Sequence, residues 1–123
     1  MVEKEVKPPS PVYEKIRKSL KDIFCEHELY DALNELSSME FFVNEALRNL
    51  ELVVKYSRDP HRLLGDFVGA IVNAYFKCGV MLQSVKDSTV SEDVKDNVEK
   101  DINELKDEIW NIVREYLKTL NTI

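Results

Sequence analysis

Residues 91–123 read SEDVKDNVEKDINELKDEIWNIVREYLKTLNTI, and the segment contains neither glycine nor proline. Its apolar residues recur at alternating spacings of four and three, which keeps them on one helical stripe close to a heptad repeat. The stripe consists of Val98, Ile102, Leu105, Ile109, Ile112 and Tyr116. Ser91 is a suitable N-cap because its hydroxyl can accept a hydrogen bond from a free N–H of the first turn. The segment therefore predicts one long C-terminal helix with a face that must be buried.

Helix signals also occupy the rest of the chain. Ser10–Pro11 and Asp59–Pro60 each combine a capping side chain with a proline suited to the first helical turn. Ser37 with Glu40 matches a capping box, so residues 28–36 form either the end of the first helix or a short extra one. Three glycines and four prolines in 123 residues favour long helices over short strands. We predict an all-α fold, a four-helix or possibly five-helix antiparallel bundle with a long C-terminal helix.

Chain length and composition indicate one folded domain. Residues 1–9 are charged and end in prolines, which predicts a flexible N-terminal arm, and residues 10–123 are predicted to form a single helical bundle domain. The N-terminus lacks the apolar core of a signal peptide, and polar residues such as Asn73 and Lys77 interrupt the most apolar stretch, 67–85. We therefore expect an intracellular, cytoplasmic protein that does not enter a membrane.

The cysteine and histidine residues do not combine into a recognisable site. Cys25 and Cys78 are too few for a disulfide framework and lie among apolar residues, so both are predicted to be reduced core thiols. With His27 and His61 they supply zinc ligand types, but His61 and Cys78 would lie about 25 Å apart on one straight helix. We expect no metal, no cofactor and no catalytic centre. The scarcity of Gln beside abundant Lys, Glu, Ile and Val is a bias seen in thermophile proteins.

The segment from 60 to 85 has apolar residues around most of its circumference, which predicts the central helix of the bundle. A seam of small residues runs along this helix, although an exposed helical glycine costs about 1 kcal/mol relative to alanine. It consists of Gly65, Gly69, Ala70, Asn73 and Ala74. Close approach of a neighbouring helix within the domain would explain the seam. A tight crossing between two subunits is the alternative.

One polar line runs along this otherwise apolar helix. Its members are Arg62, Asp66, Gly69, Asn73 and Lys77, spaced by four, three, four and four residues. Polar groups on such a line are satisfied either by solvent or by a network with another chain. No base, nucleophile and orienting group occur together on it, so the line does not indicate catalysis.

The formal net charge of −6 argues against binding nucleic acid or anionic membrane through the whole surface. Nine acidic residues and three lysines lie between Asp87 and Glu108, where they either keep the last helix soluble or attract a basic partner. A local basic patch on the first helix could still contact phosphate. It consists of Lys15, Arg17, Lys18 and Lys21.

Together these patterns favour a non-catalytic protein-interaction or assembly module, either a homodimer or a small helical subunit of a larger complex. An accessory nucleic-acid-binding protein that uses the basic first helix is the alternative. The C-terminal helix has a second apolar flank beside its main stripe, formed by Trp110, Val113, Leu117 and Leu120. The predicted protein interface combines this flank with the polar line of the preceding helix. Its residues are Ile109, Trp110, Val113, Leu117, Leu120, Asp66, Asn73 and Lys77.

Overall fold

The computed structural model of the chain describes residues 10–56 and 59–121, which form an all-α fold without a strand. The described residues contain four helices: α1 (Pro11–Glu26), α2 (Tyr30–Tyr56), α3 (Pro60–Lys86) and α4 (Glu92–Asn121). The predicted all-α class is confirmed. The predicted N-terminal arm, residues 1–9, lies outside the described residues.

Three helix starts follow the local signals in the sequence. The side chains of Ser10, Asp59 and Ser91 each accept a hydrogen bond from a backbone N–H two or three residues further on, at 3.0 to 3.3 Å. Such bonds satisfy donors that the helix itself leaves free, so these starts are fixed by residues within one turn of them. The predicted caps of α1, α3 and α4 are confirmed.

The start of α2 differs from the prediction at Ser37. Glu28 adopts a left-handed conformation with φ of 55°, and the Leu29 N–H donates to the Phe24 carbonyl at 2.8 Å while the Glu28 N–H donates to Cys25. This pattern is a Schellman motif that ends α1, and α2 then begins at Tyr30. The expected capping box is wrong because Ser37 lies inside a continuous helix, where its backbone N–H already has a helical partner.

The core is one continuous apolar cluster to which all four helices contribute. The stripe predicted for α4 is buried, from Val98 to Tyr116. On α1 the buried residues are Tyr13, Ile16, Leu20 and Phe24, whereas Val12 is exposed. Cys25 is also exposed, in contrast to its predicted place in the core, because it follows Phe24 by one residue and so points about 100° away from the core stripe.

Helices α2 and α3 make the most extensive contact in the molecule. Buried alanines on both helices, among them Ala46 and Ala74, let their backbones approach closely. Helix α4 packs against α3 and α1, and α1 packs against α4 and α2. The backbones of α3 and of the described part of α1 do not adjoin, so the outer side of α3 faces away from α1.

Candidate protein interface

One side of α3 is apolar yet uncovered. Val68, Val72 and Phe76 are 47%, 58% and 64% exposed, although each lies on the helix that has the most apolar composition. The prediction that α3 is the central helix of the bundle is therefore wrong, because its apolar residues point in two directions. One set packs in the core, and the other forms an open stripe that the sequence pattern assigned to the interior.

The small residues of α3 separate in the same way. Ala70 and Ala74 are buried, whereas a Cβ atom added to Gly65 or Gly69 would meet nothing within 4 Å. The predicted close approach of a helix from the same chain is thus wrong for the glycines, since no neighbour in the described structure needs the room. The glycines leave the helix backbone open at the surface, which is the feature that a crossing between two subunits requires.

The glycines form one wall of a groove between α2 and α3 with a volume of about 460 Å³. Phe41, which is 57% exposed, lies at one end of the opposite wall. The buried amide of Asn49 donates to the Glu45 carbonyl at 3.0 Å, so this polar side chain is satisfied within α2. Glu45 also pairs with Arg48 at 3.1 Å. The groove is therefore lined by apolar and polar residues in nearly equal number, and its polar side chains on α2 have partners within that helix.

The polar line of α3 is mainly solvated. Arg62, Asp66 and Asn73 are exposed, and Asp66 and Asn73 line the groove. Lys77 instead forms an ion pair with Glu35 of α2 at 3.0 Å, and its ammonium lies 5.9 Å from the centre of the Phe76 ring. Two of the predicted interface residues thus border the open stripe, while the third ties α3 to α2.

The interface residues predicted on α4 differ in how far they are buried. Ile109 has no exposed surface and packs in the core, so a partner could reach only its neighbours. Val113 and Leu120 are partly buried against that core. Trp110 and Leu117 are 44% and 49% exposed. Only these last two side chains of the predicted flank offer a large apolar surface outside the fold.

The open residues of three helices lie at similar heights along the molecule. Tyr75 donates to the Lys106 carbonyl at 3.2 Å, and the rings of Phe67 and Tyr116 stack with centres 4.1 Å apart. Interpolating between these contacts places Trp110 near the height of Val72. Phe41 lines the same groove as Asn73, the next residue along α3. The sequence does not distinguish an outward-facing apolar residue from a buried one, so these four exposed residues were not predicted at the interface: Phe41, Val68, Val72 and Phe76.

The basic patch on α1 is less free than its sequence suggests. Arg17 forms ion pairs with Glu14 and Glu40, and these carboxylates raise the pKa of its guanidinium. Lys15, Lys18 and Lys21 are exposed. The structure therefore leaves three solvated lysines on a helix that also packs along the acidic α4.

The remaining candidate residues do not come together. Cys78 is buried, whereas Cys25 and His27 are exposed at the end of α1 and His61 is exposed at the start of α3. Among the described residues, no group of three His, Cys, Asp or Glu side chains is arranged to hold a metal ion. Burial raises the pKa of the Cys78 thiol to about 11, which keeps it protonated at neutral pH.

By length and composition alone, the segment His61–Lys86 is also apolar enough to cross a membrane, with a mean hydropathy of 1.3 in its most apolar window. Buried residues make up 28% of that window. A core helix of a water-soluble bundle meets the same criteria, so the segment is weak evidence for a membrane. Most of that window is therefore not buried within the described structure.

Comparison with protein-family models, with curated proteins and with solved structures gives no match to this chain. The surface formed by α2, α3 and α4 is therefore the feature of this chain that bears on its function.

Proposed function

We propose that this protein is a non-catalytic interaction module that assembles through the open side of α3, as a homodimer or as a small helical subunit of a larger complex. The observation that carries the proposal is the exposure of Val68, Val72 and Phe76 on one stripe beside a glycine-walled groove. Contiguous exposed apolar surface is uncommon on monomeric proteins and commonly marks an interaction site.

We propose that the four helices form an antiparallel bundle that ends in the long helix α4. Two hydrogen bonds between α1 and α4 support the antiparallel arrangement. Ser10 bonds to Glu108, and Ser19, further along α1, bonds to the earlier residue Asp101 at 3.2 Å. Short connections between α1 and α2 and between α3 and α4 favour the same arrangement.

Native mass spectrometry of the purified protein, run at several concentrations, tests the assembly proposal. We expect a defined species heavier than the 14.3 kDa chain. The same measurement on tagged protein recovered from its own cells, with and without nuclease, separates protein assembly from nucleic-acid binding. A mass that falls on nuclease treatment would favour the exposed lysines of α1 instead.

Substitutions connect that mass to the proposed surface. Val72→Glu places a charge on the open stripe, and we expect it to abolish assembly without unfolding the chain, because Val72 is 58% exposed. Val12→Glu is the matched control, since Val12 is 52% exposed on α1 and lies away from α3. An unchanged assembly in the Val72→Glu protein, with folding confirmed by circular dichroism, would reject the proposed surface.

A further inference from the structure

The exposed stripe of α3 has a symmetric spacing. Relative to Val72, the stripe has Val68 and Phe76 four residues away on either side, and Gly65 and Gly79 seven residues away. The three inner residues carry apolar side chains, and the two outer ones are glycines. All five residues are exposed. A segment whose order of small and large residues reads nearly alike in both directions is suited to pairing with an antiparallel copy of itself.

We infer that the partner of this face is a second copy of the chain, paired so that the two α3 helices run antiparallel about a twofold axis at Val72. This inference rests on the proposed assembly function and adds the partner and its geometry. In a twofold interface, a residue i that contacts j requires that j contact i in return. Antiparallel pairing about Val72 meets that condition along the whole stripe, because Val68 faces the Phe76 of the other copy and Gly65 faces its Gly79.

The glycines explain how the large Phe76 ring is accommodated. In knobs-into-holes packing, one side chain inserts between four residues of the facing helix. Four residues of the stripe and its flank have the spacing of such a hole: Gly65, Val68, Gly69 and Val72. Two of the corners are glycines with open space at the Cβ position. The hole is centred between Val68 and Gly69, which is the height that Phe76 of an antiparallel copy reaches.

The area of the face suits a dimer. A helix of 27 residues is about 40 Å long, and two neighbouring helices present a face about 20 Å wide, which gives roughly 800 Å² for α2 and α3 together. A typical stable interface buries about 800 Å² on each partner. Phe41 of α2 lines the groove beside Asn73, and Trp110 of α4 lies near the height of Val72, so each copy has exposed aromatic side chains at the level of the proposed axis. Central aromatic side chains are typical anchors of protein interfaces.

The charges of the face also favour a second copy. The whole chain has a formal charge of −6, but the groove is lined by only two acidic residues, Glu45 and Asp66, and one basic residue, Arg48. The five positions of the stripe carry no charge. Two copies can therefore meet here without the like-charge repulsion that pairing through the acidic part of α4 would produce.

Disulfide formation on the axis tests the geometry directly. In a Cys25→Ser background, which removes the exposed native thiol, Val72→Cys places two thiols opposite each other at the twofold axis. A disulfide requires Cα atoms within about 7 Å of each other, so mild oxidation should convert this variant to a covalent dimer of twice 14.3 kDa. Val12→Cys in the same background is the control and should stay monomeric on a denaturing gel.

Phe76→Ala adds a quantitative test. One substitution removes two reciprocal anchors, and truncating one interface hot spot typically weakens binding about 30-fold, so we expect the dimer dissociation constant to rise at least about 100-fold. Val12→Ala should leave the constant unchanged. Both variants should keep the circular dichroism spectrum of the parent protein, because both side chains are more than half exposed.

The outcomes separate this inference from the proposed function. A native dimer that neither crosslinks through Val72→Cys nor weakens with Phe76→Ala would overturn the twofold geometry and leave assembly standing. A monomer at all concentrations that is recovered from cells in a defined complex would overturn the second copy as partner. A monomer that cofloats with neutral phosphatidylcholine vesicles, and loses this in Val72→Glu, would assign the face to a lipid surface and overturn both.

Discussion

Cys78 lies in the core with no exposed surface, and burial raises the pKa of its thiol from the ordinary value of 9.0 to about 11. As the pH rises, the thiol loses its proton at a lower pH in the unfolded chain than in the folded one. The free energy that the protonated thiol contributes to folding is therefore complete below about pH 9. It falls by roughly 1.4 kcal/mol per pH unit as the pH rises toward 11. Burial raises the pKa of Tyr13 as well, which acts in the same direction. We expect urea unfolding to show this decline in the free energy of unfolding.

Cys78→Ala separates the thiol from the tyrosines. The variant should be less stable than the parent protein at pH 8, because it loses buried volume, and the difference should shrink as the pH rises from 9 to about 11. Unfolding curves that stay a constant free energy apart across this range would contradict the assignment of the decline to Cys78. Thiol labelling gives an independent check, since the exposed Cys25 should react in the folded protein and Cys78 only after unfolding.

The turn between α1 and α2 contains one residue in an unfavourable backbone conformation. Glu28 has a φ of 55°, a region in which residues with a Cβ atom are disfavoured and glycine is not. We expect Glu28→Gly to raise the free energy of unfolding by about 0.5 to 1 kcal/mol, measured by urea unfolding. Glu26→Gly is the matched control. It should lower stability, because Glu26 is the last residue of α1 and has helical geometry.

The glycines of α3 lead to a prediction with opposite signs for folding and for assembly. Gly69→Ala should stabilise the dissociated chain by about 0.5 to 1 kcal/mol, since the added Cβ meets nothing within 4 Å and alanine favours the helix. In the proposed dimer the same methyl group partly fills the hole that receives Phe76, so the dissociation constant should rise.

Urea unfolding at high dilution measures the first effect, and sedimentation equilibrium at higher concentration measures the second. Asn97→Ala is the control on the exposed side of α4, where it should raise stability by a comparable amount and leave association unchanged. If Gly69→Ala strengthened the dimer together with the fold, the proposed role of the glycines would be wrong.

The sequence was sufficient to predict elements whose signals are local. Ser10, Asp59 and Ser91 cap helices within three residues of their position, so the starts of α1, α3 and α4 were accessible without tertiary information. The break before Tyr30 was not, because the left-handed residue that ends α1 is Glu28 rather than glycine. Because α2 begins at Tyr30, Ser37 lies within this continuous helix and does not cap a new one.

The candidate interface was only partly predictable for a different reason. Trp110 and Leu117 were identified because they form a second flank beside a complete core stripe on an otherwise polar helix. Val68, Val72 and Phe76 were assigned to the interior, since α3 is apolar on nearly all sides and the sequence does not say which side its own chain covers. The placement of α1 decides this, because the described part of α1 packs along α4 and α2 while its backbone does not adjoin α3.

The uneven distribution of charge over the molecule sets how assembly should respond to salt. Acidic residues are concentrated between Asp87 and Glu108, whereas the groove between α2 and α3 has only three charged lining residues, Glu45, Arg48 and Asp66, beside an apolar stripe. Burial of apolar surface depends weakly on ionic strength, and exposed charges are screened by it. We therefore expect the dimer dissociation constant to change less than about threefold between about 50 and about 200 mM salt.

Sedimentation equilibrium across that salt range gives the measurement, with Val72→Glu as the control that removes the apolar contact. Contacts between the lysines of α1 and phosphate would respond differently, since affinity for nucleic acid falls steeply over the same range as counterions are released. Assembly that weakens by ten-fold or more with added salt would show that charged groups, rather than the stripe centred on Val72, hold the complex together. An insensitive dimer would place its stabilisation on the apolar face of α3.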